Sequence, residues 1–379
     1  MKKILYIHTN YQELGGEDIA VKSELNLLKE VYEVREIFFS NEVKNKLTFI
    51  LNFITLRNFK NYKFINNIIN EFNPDLAYVH NTWFDASLSV FKALKVNKIK
   101  TYVKLHNFRF FCTRTHLASR HLMGDSFCKA CGFKNHRFFF SYNKYFLNSF
   151  LKSFFVNRFG KKYFNLLKNE SITLLVLTNF QKEFLKKFDI NNVYVFPNYI
   201  DFTTEIKDVY EDYFVYAGRI SEEKGLSELI SSFSKVNQLK YELLIVGNGP
   251  EVKKLKKNNL YEHVKFLGSL SHDETLEIIS KSSGVVSATK LYEGQPTQLV
   301  EASLLKKHSI FPNSGGISEF LPSKANFLFE QYNYDDLTQK FLELINLIAE
   351  NKKAETNHQF IIDKLNKNKL LEKFETIIS

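Results

Sequence analysis

The stretch from Tyr292 to Ala302 reads Tyr-Glu-Gly-Gln-Pro-Thr-Gln-Leu-Val-Glu-Ala and carries two carboxylates, Glu293 and Glu301, separated by a glycine, a proline and the start of an apolar helix. Pro296 suits the first helical position, where its missing N–H is no loss, and Val300 with Leu304 gives the next turns a buried stripe. Gly294, Gln295, Pro296 and Thr297 are therefore expected at a helix N-terminus, where free backbone N–H groups and the helix dipole favour an anion such as a diphosphate. Glu293 precedes that helix and Glu301 lies more than a turn inside it. Neither carboxylate would face the phosphate itself, so both are placed to accept hydrogen bonds from hydroxyls on either side of it. A sugar on one side and a ribose on the other fit this pattern. An ordinary solvated helix face has the same spacing by chance, so the rest of the chain must decide.

A second group of residues points to the same ligand. Gly218-Arg219-Ile220 and Lys224-Gly225 close one apolar run and open a helix, and two cations five residues apart on one loop can reach a single phosphate group. Gly15-Gly16 lies between a strand and a helix, where it either lets backbone amides approach a ligand or makes a plain tight turn. His106 ends a strand, as a structural hydrogen-bonding residue or one facing a ligand. Cys128-x-x-Cys131 has zinc-ligand spacing, with Cys112 upstream and His136 among the histidines nearby. Bound zinc and reduced cysteines packed under a loop are the two readings.

The elements that must position these groups alternate. Lys3 to His8 is a short apolar run, followed past the glycine pair by apolar residues at helical spacing; Val34 to Phe39, Leu76 to His80, Thr101 to His106 and Ile172 to Leu177 read as further strands. Thr178-Asn179 reads as a helix cap. After a polar linker from Thr203 to Asp212 the alternation restarts, with strands at Tyr213 to Ala217, Glu242 to Val246, Val264 to Leu267 and Gly284 to Ser287, and helices from Lys224, after Pro250 and from His272. The expected fold is α/β, with two Rossmann-like parallel-sheet domains facing each other across a cleft that holds the ligand. Residues 1–205 form the first, 206–355 the second, and 356–379 a C-terminal helix packing back on the first.

Lys and Arg number 52 against 41 Asp and Glu, a net charge of +11, which favours anionic partners. Two stretches hold no acid, Val43 to Asn70 and the segment between Asp125 and Glu170, and both mix aromatic and basic residues. They read as helices in an anionic membrane interface, or as core helices with a solvated basic face. The first residues are too short an apolar run for a signal peptide, no segment approaches the roughly 20 apolar residues of a membrane span, and three clustered cysteines make no disulfide framework. A cytoplasmic protein, peripheral on the inner face of the membrane, is expected.

Taken as a set, these motifs resemble glycosyltransferase family 4, retaining enzymes of the GT-B fold whose E-x7-E element the Glu293 to Glu301 spacing matches. Gly15-Gly16 is similar to that family's N-domain glycine loop, and His106 to the histidine facing the donor sugar. Arg219 and Lys224 are similar to its basic pair on the donor diphosphate. Gly247-Asn248-Gly249-Pro250 resembles its Gly-x-Gly-Pro turn, and Gly315-Gly316 with Glu319 its Gly-Gly-x-x-Glu element. Pro197-Asn198-Tyr199-Ile200-Asp201 resembles the Pro-Asn-Gly-(Ile/Val)-Asp junction, with Tyr199 in place of glycine; Gln295 stands where a bulky apolar residue is common. The resemblance implies transfer of a sugar from a UDP- or GDP-sugar to a glycan or polyprenyl-diphosphate-linked acceptor, in capsule, O-antigen or other surface polysaccharide biosynthesis. By it Glu293, His106, Arg219 and Lys224 are catalytic, and Gly15, Gly16, Gly218, Gly247, Gly294 to Thr297 and Glu301 bind the donor together with the two cations. No cofactor is implied, and no divalent metal, in keeping with the lack of an Asp-x-Asp motif. An epimerase or hydrolase acting on nucleotide sugars, and a non-enzymatic binder of polyanions, are the competing classes. No nucleic-acid-binding module is recognisable.

Overall fold

The structure, a computed structural model, describes residues 1–10, 15–41, 52, 55–109, 150–202, 204–207, 209–236, 241–258, 261–323, 327–348 and 352–379. The chain divides into two compact units, residues 1–201 with 367–379 and residues 202–366. Among the described residues each unit holds one six-stranded sheet, and every strand pair in both is parallel.

In the first unit the order of elements is β1 (Lys3–Asn10), α1 (Gly16–Lys29), β2 (Glu33–Ser40), α2 (Phe59–Phe72), β3 (Leu76–Val79), α3 (Ser89–Val96), β4 (Lys100–Leu105), α4 (Phe150–Leu167), β5 (Ile172–Val176), α5 (Asn179–Lys186) and β6 (Val193–Val195). The central strands are apolar without alternation because helices cover both faces: Ile4, Leu5, Tyr6 and Ile7 are all fully buried. Polar side chains set the helix starts. The Thr178 hydroxyl accepts from the Gln181 amide at 3.2 Å, as the sequence leads one to expect, and Asn58 caps α2 through the Asn61 amide at 3.1 Å. The strand order is β2-β1-β3-β4-β5-β6.

The second unit contains β7 (Tyr213–Ala217), α6 (Leu226–Val236), β8 (Glu242–Val246), α7 (Val252–Asn258), β9 (Val264–Gly268), α8 (His272–Lys281), β10 (Gly284–Val286), α9 (Thr297–Leu304), β11 (His308–Asn313), β12 (Phe327–Glu330), α10 (Tyr334–Leu347) and α11 (Lys352–Lys364). Its order is β12-β11-β10-β7-β8-β9. The direction of strand addition therefore reverses between β7 and β10, and in open parallel sheets ligands bind beyond the strand ends at such a reversal. Two helix starts differ from expectation. Residues Glu222–Lys224 form a single 3-10 turn and α6 begins only at Leu226. Gly225 lies between them at φ 69°. Pro296, expected as the first helical residue, is the N-cap of α9, with φ −67° and ψ 113°.

The C-terminal segment is two helices, not one. Ala354, Asn357 and Ile361 form the buried side of α11, whereas Leu370, Phe374 and Ile378 form that of α12 (Lys367–Ile378). The chain breaks between them, and only α12 packs with the first unit, so the crossing falls at 366/367 and not at 355/356.

One buried ion pair ties the first unit together. Lys104 of β4 and Glu24 of α1 are both without solvent exposure and directly paired. The Tyr78 hydroxyl donates to the second Glu24 oxygen at 2.5 Å, and the Lys104 ammonium also donates to the Pro197 carbonyl at 3.3 Å. Burial holds the Lys104 ammonium below its ordinary range, with Glu24 opposing the shift. Above this pair Phe374 of α12 packs against Tyr78 and Phe196, at 5.3 and 5.5 Å between ring centres. Removing one partner of such a pair leaves an uncompensated buried charge. Glu24→Ala is expected to destabilise the first unit by about 3–5 kcal/mol. The only tryptophan, Trp83, is buried in that unit, so denaturant unfolding followed by its fluorescence measures the loss.

Candidate active site

The reversal between β7 and β10 brings two loops side by side, residues 218–225 after β7 and 287–296 after β10. Their approach is backbone on backbone. A side chain at Gly247, the residue after β8, would place its first carbon 1.9 Å from the Gly218 carbonyl oxygen, and φ there is 130°. Only glycine fits such a position. The Ile220 amide donates to the Asn248 carbonyl at 2.8 Å, so the turn at 247–249 braces the Arg219 loop from one side. On the other, Gly315 at φ 61° lies so close to the Glu293 backbone that a side chain would meet its carbonyl oxygen at 2.6 Å, and the Gly316 amide donates to that carbonyl at 2.8 Å. The Gly-Gly element thereby holds the backbone that carries Glu293.

Across the two loops the Lys224 ammonium lies 2.6 Å from Oε1 of Glu293, both side chains about a quarter exposed. The same oxygen accepts from the Thr289 hydroxyl at 3.1 Å. Thr289 also accepts the Leu291 amide at 3.2 Å, which folds the segment before Glu293 into a tight turn. Arg219 is exposed, and its carbonyl is held by the Tyr216 hydroxyl at 2.8 Å. Gly218 precedes it at φ 144°, with the Gln298 side chain of α9 against it. Lys224, Glu293 and the helix start at Gly294 to Thr297 are thus adjacent, with the Arg219 loop beside them. Gln295 is nearly buried.

Glu301 occupies a different environment. It is 4% exposed, its Oε1 makes no hydrogen bond among the described residues, and burial pushes its carboxyl up to about 8. Among the described residues Nε2 of His272 lies 3.6 Å from Oε1.

Three supporting residues had no chemical signal in the sequence. Gln331, after β12, donates to the carbonyls of Thr289 and Leu291 at 3.2 and 3.4 Å, and the Tyr332 hydroxyl to that of Lys290 at 3.2 Å. The loop leading to Glu293 is therefore held at three consecutive carbonyls. In the first unit His80, at the reversal between β1 and β3, places Nδ1 2.9 Å from Nε2 of His106, with the rings stacked. Only its position after a strand marked it.

His106 itself is half-buried, and burial together with the Lys104 and His8 charges lowers its pKa well below the ordinary histidine value. Gly15 caps α1 and its amide donates to the Asp18 carboxylate at 3.0 Å; Gly16 is the first helical residue. Asn107 donates to Glu17 at 3.0 Å, which brings the segment after His106 to the first turn of α1. Tyr199 does not adopt a positive φ. Cys112, Cys128, Cys131 and His136 lie outside the described residues. Among the described residues no three His, Cys, Asp or Glu side chains are gathered as a metal site.

Residues 201–361 match the family model described as glycosyl transferases group 1, a range that contains Arg219, Lys224, Glu293 and Glu301. The chain is 32% identical to the amylovoran biosynthesis glycosyltransferase AmsD of Erwinia amylovora over 142 residues, 34% of this chain and 40% of that protein. With the poly(ribitol-phosphate) alpha-N-acetylglucosaminyltransferase of Staphylococcus aureus it shares 27% identity over 229 residues, 57% of this chain and 45% of that protein. The chain thus spans less than half the length of both relatives. The crystal structure of HepE from Anabaena in complex with UDP-glucose superposes with a TM-score of 0.67 at 14% identity, covering 99% of this chain and 100% of that one. The fold is that of GT-B glycosyltransferases, two Rossmann-like α/β units.

Burial of Glu301 has a pH signature. Its folded pKa of about 8 lies above the ordinary value of 4.5, so the folded state holds a proton that the unfolded chain releases. Stability is full below pH 4.5 and is lost as the pH rises toward 8. Glu301→Gln removes the titration. Relative to wild type, the variant is expected to be similar in stability at acidic pH and to gain on the order of 4 kcal/mol above pH 8, measured by circular dichroism in denaturant across the pH range.

Proposed function

We propose that this chain is a retaining glycosyltransferase that moves a sugar from a UDP- or GDP-sugar to a glycan acceptor. The observation that carries the reading is Glu293, held by Lys224, Thr289 and the Gly315-Gly316 backbone at the sheet reversal, within the range that matches the group 1 family. Breaking the anomeric C–O bond places negative charge on the leaving nucleoside diphosphate and positive charge on the sugar. Arg219, Lys224 and the amides at the start of α9 stabilise the first, and two fixed cations there do the work a divalent metal would otherwise do. Glu293 accepts hydrogen bonds from donor-sugar hydroxyls and Glu301 from the ribose, while His106 contacts the donor sugar. The acceptor approaches the face the leaving group departs from, and the departing phosphate takes its proton, so the anomeric configuration is retained.

A ligand bound only by the native state raises the melting temperature, by an amount equivalent to about 2.7 kcal/mol at 100 times Kd. UDP or GDP is expected to raise the midpoint equally with and without EDTA, and Arg219→Ala or Lys224→Ala to abolish the shift. An unchanged wild-type midpoint with every nucleotide overturns the donor site. Glu293→Ala should lower kcat by about 100-fold or more, whereas Glu301→Ala should act mainly on donor KM.

The acceptor is proposed to be a growing surface polysaccharide, capsule or O-antigen, on a polyprenyl diphosphate at the inner face of the membrane. Both curated relatives are named for polymer substrates or products. No helix among the described residues is long and apolar enough to cross a membrane. The outward face of α2, however, carries Phe59 and Phe64, 68% and 47% exposed, flanking the exposed Lys60 and Lys63. Arg158, Lys161 and Lys162 are exposed on α4. Flotation with anionic vesicles is expected to recover the protein at low salt and not at high salt, and replacing Lys60, Lys63, Arg158, Lys161 and Lys162 with glutamine should abolish recovery. Equal recovery of wild type and variant removes these residues from the proposal.

A further inference from the structure

The Lys224 and Glu293 side chains meet across two loops whose backbones are tied to one another. The Glu223 carbonyl accepts the Lys290 amide at 2.9 Å, and the Lys224 amide donates to the Ser221 carbonyl at 3.0 Å. Gly225, at φ 69°, presses so closely on Ala288 that a side chain would meet its carbonyl oxygen at 2.1 Å. Glu293 is held through its own carbonyl by the Gly316 amide at 2.8 Å. A change at this point is therefore a movement of side chains, and both are open to a ligand, at 27% and 23% exposure. They differ in freedom. The Thr289 hydroxyl donates to Oε1 of Glu293 at 3.1 Å and steadies the carboxylate, whereas the lysine ammonium sits on a flexible stem and donates, among the described residues, to that same oxygen at 2.6 Å.

The ion pair thus engages with each other two groups that a nucleotide sugar would need. A diphosphate drawn to Lys224 approaches a cation that already carries a carboxylate, so it must displace Glu293 or stand beside a like charge. Like charges at such range repel, and more strongly in partly buried surroundings than in water. A phosphate only accepts hydrogen bonds and gives Glu293 nothing for the cation it removes. A sugar hydroxyl donates. An intact donor therefore returns to Glu293 what its diphosphate takes away, and a nucleoside diphosphate without its sugar does not.

We propose that the Lys224–Glu293 ion pair selects the intact donor over the nucleoside diphosphate product, because Glu293 and the diphosphate exchange for Lys224. The proposal rests on the nucleotide-sugar reading above and adds to it that the two contacts compete. Donor binding moves Lys224 onto the diphosphate while sugar hydroxyls take its place on Glu293. Once the sugar has left, Glu293 recaptures Lys224 and loosens the hold on the product. Thr289 keeps the carboxylate in place in both states.

Titration calorimetry of the full chain with UDP and GDP, and with UDP-glucose, UDP-N-acetylglucosamine and GDP-mannose as donors, tests the exchange. Glu293→Gln keeps the shape of the side chain and removes its charge. It is expected to bind the nucleoside diphosphate about fivefold more tightly than wild type, the worth of a partly exposed ion pair, and to bind a donor no more tightly, so the preference for donor over product falls. Glu293→Ala should act in the same direction. Lys224→Ala, expected to abolish binding by itself, should abolish it equally when combined with Glu293→Gln. Recovery of binding in that double variant would mean plain repulsion between carboxylate and phosphate and overturns the exchange. An equal gain for donor and diphosphate overturns the selection. Unchanged or weaker diphosphate binding by both Glu293 variants, with wild type binding normally, sinks the exchange and leaves the donor site standing; no binding of any nucleoside diphosphate by wild type or either Glu293 variant sinks both.

Discussion

The contact on which the second unit depends is the close passage of backbone over backbone at the ends of β7, β8, β10 and β11. All strands of a parallel sheet end on the same side, so the loops after neighbouring strands crowd together there and part into a crevice where strand addition reverses. Here the crowding is extreme, with Gly247 against Gly218 and Gly315 against Glu293 at distances no side chain tolerates. What results is a rigid platform from which Lys224 and Glu293, far apart in sequence, meet at 2.6 Å. Gln331 and Tyr332 add rigidity from behind by occupying three carbonyls that would otherwise need solvent.

The two carboxylates that the spacing pairs are made unlike by their surroundings. Glu293 is partly exposed, hydrogen-bonded to a hydroxyl and paired with a cation. Glu301, a turn inside α9, is buried with no cation within bonding distance among the described residues, and burial pushes its carboxyl up to about 8. Environment separates their chemistry as it does in any site where two acids take different roles. One is suited to binding a charged or reacting group, the other to a neutral hydroxyl.

In the first unit the analogous organising element is electrostatic. The Lys104 and Glu24 pair, with the Tyr78 hydroxyl, connects the sheet to α1, and Phe374 seals it with the C-terminal helix. Lys104 also adds to the positive potential that, behind burial, keeps His80 and His106 neutral. The same buried charge therefore serves both the packing of this unit and the ionisation of the histidine pair at its strand ends.

Much of this could be read along the chain. β7 and β8 fall at the residues their apolar runs mark, α8 starts at its expected residue, and Arg219, Lys224, Glu293 and Glu301 stand out because glycine, proline and charge at helix starts act over a few residues. β11 and β12 were not legible: one is interrupted by Pro312 and the other is only four residues long. What only the tertiary structure decided is which residues meet. Strand order brings Lys224 to Glu293, a turn after β12 supplies Gln331 and Tyr332, and the facing of α8 and α9 sets His272 beside Glu301. Sequence patterns report local backbone preference and the side of an element that is buried, whereas the partner of a polar side chain depends on how distant elements pack, which no short window of residues contains.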